Sequence, residues 1–299
     1  MQHPDAVLKT EQTMPLPDGR TLGFAEYGSV EGQVLVYCHG YPGSRLEAAV
    51  LSAHAAQAQV RVISLDRPGY GRSSFQERRS LFDWPADLVA LTERLGIDRF
   101  AVLGISGGAP YALACAAQLP ERLISCGIVS GIGPLPLGTA GMSRQNRLVL
   151  FLAHRSPWLL TPLLSGTARS FRDEERARKA VTKAMRRMVK PDREALLAPG
   201  MVEGLAASAR ETYHQGVRGA VYEGRLYGRD WGFRLEDLAF RPLFLWHGVR
   251  DTNVPIGMAR AMAGKLAGCT ATSYPEEGHF STLLNHQSEV FSALFPPVC

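Results

Sequence analysis

Ser106, Asp251 and His279 are the side-chain types that nucleophilic acyl transfer needs. A serine hydroxyl is a weak nucleophile at neutral pH, so it needs a base in reach and a third group to orient that base. Ser106 stands in Gly104-Ile105-Ser106-Gly107-Gly108, after an apolar run over 99–103 and before an alanine-rich helical run that starts at Ala109-Pro110. Glycines two residues to either side leave room for a tight strand-to-helix bend that lifts Oγ out of the sheet edge. The N–H of Gly107, at the start of that helix, is then free for an oxyanion. The plain alternative is an ordinary turn, and the strand and helix around it favour the chemical reading.

The partners must lie in loops at the carboxyl ends of strands. The apolar run 243–246 leads into His247-Gly248-Val249-Arg250-Asp251, and the short strand 271–274 leads into Pro275-Glu276-Glu277-Gly278-His279. No carboxylate occurs between Glu121 and Asp173, so the loop after strand 123–129 offers no rival acid. Of the other seven histidines, His39 belongs to the loop after strand 34–38 and His247 reads as a core residue at a strand end. His3, His54, His154, His214 and His286 have no strand-end context. In the loop His39-Gly40-Tyr41-Pro42-Gly43-Ser44, Pro42 has no N–H, which leaves the N–H of Tyr41 as the second oxyanion donor. With His279 as base, activity should rise through about pH 6–7 as the imidazole loses its proton.

The elements that must position these residues follow from the apolar periodicity. Residues 7–12 and 20–27 flank Pro15-Leu16-Pro17-Asp18-Gly19 and predict an antiparallel hairpin. Buried strands are predicted at 34–38, 60–65, 99–103, 123–129 and 242–246, and helices at 83–95 and 255–266, with a last helix reaching about Phe295. Strands alternating with helices mean a mostly parallel, doubly wound α/β sheet. At Gly133 the alternation stops. Residues 134–240 then read as a helical cap inserted into a core made of 1–133 and 241–299, with amphipathic helices at 173–189 and 203–222. The stretch 148–164 is apolar nearly all round, so Leu152, Trp158, Leu159 and Leu163 are expected around a substrate.

Composition narrows the class. The chain is 45% apolar and 20% charged, as a globular protein is. Its net charge of +5 is uneven, with 18 Lys/Arg and 11 Asp/Glu between 134 and 240. The basic residues alternate with acids and lack an aromatic stripe, which favours a solvated helix face over a nucleic-acid surface. The opening residues carry no secretory signal, and no apolar run is long enough for a membrane span. Five scattered cysteines (38, 115, 126, 269, 299) read as reduced thiols of a cytoplasmic protein, without metal-ligand spacing. The chemistry calls for no metal or cofactor. The expected partner is a small-molecule substrate, and the chain is expected as a monomer or homodimer.

The motifs HGYPGSR (39–45), DRPGYGRSS (66–74), GISGGAP (104–110), WHGVRDTNVP (246–255) and EGHFS (277–281) together resemble the α/β-hydrolase superfamily, in its cap-bearing form, over about residues 7–295. The resemblance implies Ser106 as nucleophile, His279 as general base and acid, Asp251 as its orienting group, and the N–H groups of Tyr41 and Gly107 as oxyanion hole. Esterase chemistry is the expectation. HGYPG is also similar to the HGGPG of proline iminopeptidases, an alternative that needs cap carboxylates for a substrate ammonium, with Glu203, Glu211 and Glu223 as candidates. A third reading is a binding protein that keeps the three residues and turns over little. Epoxide hydrolases and dehalogenases share HGxP but carry an aspartate where this chain has Ser106.

Overall fold

The computed structural model describes residues 7–295, so His3 and Cys299 lie outside the described residues. β1 (Val7–Pro15) and β2 (Thr21–Gly28) form the hairpin, with Gly19 at φ 85° in its turn. β1 extends three residues beyond the predicted end, and two register shifts explain why strict alternation hides its length. There follow β3 (Gln33–Cys38), α1 (Ser52–Gln57), β4 (Val60–Leu65), α2 (Trp84–Arg94), β5 (Phe100–Ile105), α3 (Ala109–Gln118) and β6 (Leu123–Val129). After six further helices come β7 (Leu243–Gly248), α10 (Ile256–Lys265), β8 (Thr270–Tyr274), α11 (Ser281–Asn285) and α12 (Gln287–Leu294). The eight strands form one sheet in the order β1-β2-β4-β3-β5-β6-β7-β8, parallel from β4 to β8.

Helices cover both faces, which is why the central strands read as continuous apolar runs. One face packs Val36, Val102 and Ile128 against Leu88, Leu113 and Met258. The other packs Leu35, Leu103 and Val129 against Ala55, Phe291 and Leu294. Burying each of the larger side chains contributes about 1.5–3 kcal/mol, so the sheet edge that carries the site rests on a stiff base.

Between β6 and β7 the described residues hold α4 (Arg144–Arg155), α5 (Pro157–Arg169), α6 (Glu174–Met185), α7 (Lys190–Ala195), α8 (Met201–Thr212) and α9 (Arg218–Tyr227), and no strand. The predicted helix over 203–222 is two helices, broken around Gly216 at φ 90°. The apolar stretch 148–164 likewise breaks at Ser156-Pro157, where proline opens α5. In α6, Ala177, Val181 and Met185 turn inward onto Leu196 and Ala206, while Arg176, Arg178, Lys179 and Lys183 are exposed. Among the described residues no helix is long and apolar enough to cross a membrane. Cys38, Cys115 and Cys126 are buried free thiols and Cys269 is half-buried.

Candidate active site

β5 ends in the bend expected from its glycines. Ser106 sits at φ 51°, a left-handed conformation that costs a non-glycine residue about 1–3 kcal/mol. A Cβ on Gly104 would lie 2.6 Å from the Gly108 carbonyl oxygen, and one on Gly108 would lie 2.0 Å from that of Cys38. Both flanking positions therefore require glycine, and the packing of α3 against β3 and β5 fixes where Ser106 points.

Tyr41 N–H finds no acceptor among the described residues. A Cβ on Gly107 would lie 3.0 Å from the Tyr41 nitrogen, so the two candidate oxyanion donors sit side by side. Buried charge holds their loop. The Arg67 guanidinium, fully buried, donates to the carbonyls of His39 and Gly40 and pairs with Glu223 of α9. Burial pushes the Glu223 carboxyl up, but Arg67, with Arg79 and Tyr111, more than offsets it and holds the group below the usual range. The Tyr227 hydroxyl of α9 donates to the Gly107 carbonyl at 2.8 Å, and its ring packs edge-on against Tyr41. Arg45 pairs with Asp66 and Glu211 beneath the same loop. His39 is structural: burial pushes it well below its ordinary range, its Nε2 accepts from Arg67 N–H, and its Nδ1 donates to the Gly40 carbonyl.

Asp251 leaves the end of β7 and meets His279 from the loop after β8, with Oδ2 2.7 Å from Nδ1. Its Oδ1 accepts from the N–H groups of Asn253 and Val254 at 2.7 and 2.9 Å, which fixes the carboxylate. His247 is the buried core histidine expected, donating to the Val254 carbonyl. Burial alone would depress the His279 imidazole. The Asp251 charge and hydrogen bond, together with the Asp192 and Glu47 charges, outweigh burial, and the imidazole lies above its ordinary value. A base that must be neutral to act would, with this raised imidazole, show its acid limb at higher pH than a free imidazole does.

Ser106, His279, Tyr41 and Gly107 line one cavity of about 560 Å³. Ser106 and His279 both line it, and among the described residues no hydrogen bond joins the Ser106 hydroxyl to His279 or to any other group. The wall is mostly apolar, with Leu148, Leu163, Leu164, Phe171 and Leu205 from the helical insertion.

Of the four side chains expected around a substrate, only Leu163 lines the cavity. Trp158 and Leu159 are exposed and Leu152 is half-buried outside it. The break at Pro157 gives α4 and α5 separate orientations, so one face of the pair is buried (Ala153, Leu160), one lines the cavity (Leu148, Val149, Leu163, Leu164) and one faces outward (Phe151, Trp158). Nor do Glu203, Glu211 and Glu223 reach the cavity: the first is exposed and the others are bound to arginines.

The sequence does not reveal what anchors the His279 main chain. Asp192 of α7, buried in the insertion, accepts from His279 N–H at 3.0 Å through Oδ2 and from the N–H groups of Phe280 and Ser281 through Oδ1. Ser130, after β6, donates to the His279 carbonyl at 3.0 Å. The Asp192→Asn variant should therefore lose about ten- to a hundredfold in kcat, since an amide cannot accept at both positions and the base shifts. Its acid limb should also move to lower pH, because the Asp192 charge helps hold the His279 proton. A pH–rate profile checks both, and an unmoved limb with normal kcat would reduce Asp192 to a loop cap.

The profile described as alpha/beta hydrolase fold matches residues 33–285. The chain is 31% identical over 119 residues to a proline iminopeptidase of Xanthomonas citri, covering 39% of this chain and 38% of that one. It is 32% identical over 108 residues to an epoxide hydrolase of Caballeronia sordidicola, covering 35% and 32%. The chain thus spans about a third of the length of these curated relatives. Among solved structures, an esterase from Rhodococcus sp. ECU1013 superposes with TM-score 0.65 at 19% identity over 96% of this chain and 100% of that one, a likeness of fold. With its mostly parallel eight-stranded sheet and a profile match over most of its length, the chain belongs to the α/β-hydrolase fold family.

Proposed function

We propose that this protein is a serine hydrolase that cleaves a carboxylic ester, or a related acyl bond, of a small apolar substrate through an acyl-enzyme on Ser106. The observation that supports this most is the convergence, in one cavity, of an unpartnered serine hydroxyl, an imidazole held at 2.7 Å by a buried aspartate, and two adjacent N–H donors. Ser106 Oγ attacks the carbonyl carbon while His279 Nε2 takes its proton, and the carbonyl oxygen, now negative, lies against the Tyr41 and Gly107 N–H groups. The carbon–oxygen bond to the alcohol breaks, and His279 gives its proton to the leaving oxygen. Water, deprotonated by the same imidazole, then releases the acid and restores the hydroxyl. Asp251 stabilises the transient imidazolium and fixes the tautomer. In this reading residues 134–240 act as a cap that supplies the apolar wall and excludes water.

The wall predicts selectivity. Each acyl methylene buried there contributes up to about 0.8 kcal/mol, or about fourfold, until the space is full. kcat/KM for p-nitrophenyl esters should therefore rise by up to about fifteenfold from acetate to butyrate. Salt should matter little. Arg78, Arg79, Arg218, Arg225 and Arg229 line a separate depression that contains none of Ser106, Asp251 and His279. A strong preference for anionic acyl groups that collapses in high salt would contradict this assignment.

A further inference from the structure

Glu47 is the one carboxyl among the described residues that line the Ser106 cavity. It follows the oxyanion loop, in the short 3-10 helix over Arg45–Leu51. Its Oε1 accepts from Gly40 N–H and from the Tyr37 hydroxyl, both at 2.8 Å. Its Oε2 accepts no hydrogen bond from any described residue. A Cβ on Gly40 would lie 3.3 Å from that oxygen and 3.7 Å from the Ser106 Cβ, so the carboxyl and the nucleophile flank the same glycine.

The two oxygens thus differ: one holds the loop, and the other, on a residue that lines the cavity, is left without a donor. Burial pushes the Glu47 carboxyl above its ordinary range, with the hydrogen bonds from Gly40 and Tyr37, then Arg67 and His279, pulling the other way. A plain hydrocarbon placed there would leave a desolvated acceptor unmatched, which costs binding. We propose that Glu47 is a specificity-determining residue, whose Oε2 accepts a hydrogen bond from a hydroxyl or ammonium that the substrate carries next to its scissile carbonyl. The esters favoured are then those of α-hydroxy or α-amino acids. This rests on the reading of Ser106 as the nucleophile.

Glu47→Gln is a near-isosteric test. Its carbonyl oxygen keeps the bonds from Gly40 and Tyr37, and its amide turns the open acceptor into a donor. The probes are p-nitrophenyl esters of butyrate, 2-hydroxybutyrate and 2-aminobutyrate. Wild type should favour at least one donor-bearing ester over butyrate by about ten- to a hundredfold in kcat/KM, and the Gln variant should bring that ratio to about one or below. A ratio of rates between substrates cancels any general loss of activity. Equal rates for all three esters in wild type, or an unchanged ratio in the variant, would overturn the proposal. Turnover of none would instead defeat the esterase reading. Calorimetric binding of the same esters to Ser106→Ala protein, with and without Glu47→Gln, then decides on Glu47: binding of the donor-bearing esters that the second substitution abolishes supports it, and binding indifferent to that substitution overturns it.

Discussion

Replacing Ser106 with alanine should remove about four to six decades of kcat and leave the fold intact. Without Oγ no acyl-enzyme forms, and only the N–H donors and the cavity act on bound substrate. The fold should survive for a local reason. Ser106 already occupies φ 51°, where alanine is strained to the same degree, and its hydroxyl makes no hydrogen bond that the substitution would break. Thermal unfolding should coincide with wild type within a few degrees, while steady-state hydrolysis of p-nitrophenyl butyrate falls to near the uncatalysed rate. Residual activity within tenfold of wild type would mean that another residue carries the acyl group.

The Asp251→Asn variant should lose about a thousandfold or more in kcat, by a different route. Its remaining oxygen can keep the bonds from Asn253 and Val254, while the amide presents N–H to His279 Nδ1 and favours the wrong tautomer. The pH profile separates this from simple misfolding. In wild type burial lowers the His279 imidazole, but the Asp251 charge and hydrogen bond, with the Asp192 and Glu47 charges, raise it overall, so the ring stays protonated, and inactive, to a higher pH. Removing that charge lets burial prevail. The residual activity should therefore show its acid limb shifted to lower pH, even as its plateau falls. A pH–rate series on both proteins measures this, and a limb that stays in place would assign the orienting role to a different carboxylate.

Much of this arrangement is legible in the residues themselves, and the exceptions have physical causes. The central strands read clearly because both faces are covered, which leaves uninterrupted runs such as Val34–Cys38. Ser106 reads clearly because its bend tolerates nothing but glycine at 104 and 108. The insertion is harder. Apolar residues in α4 and α5 serve the interior, the cavity and the outer surface at once, so composition alone sends Trp158 and Leu159 to the wrong place. Asp192 lies in a short helix of mixed charge with nothing to mark it, since its main-chain partners are residues almost ninety positions away. Glu47 is equally silent: its role depends on which of its oxygens is left over once the loop has closed.

The acyl-enzyme itself is the most direct test. Purified protein treated with a fluorophosphonate should gain the mass of one phosphonyl group, and peptide mapping should place it on Ser106 within Gly104–Gly108. The labelling rate should follow the same acid limb as hydrolysis, because both need neutral His279. An unchanged mass in protein that hydrolyses esters, or an adduct on any other residue, would contradict covalent catalysis by Ser106.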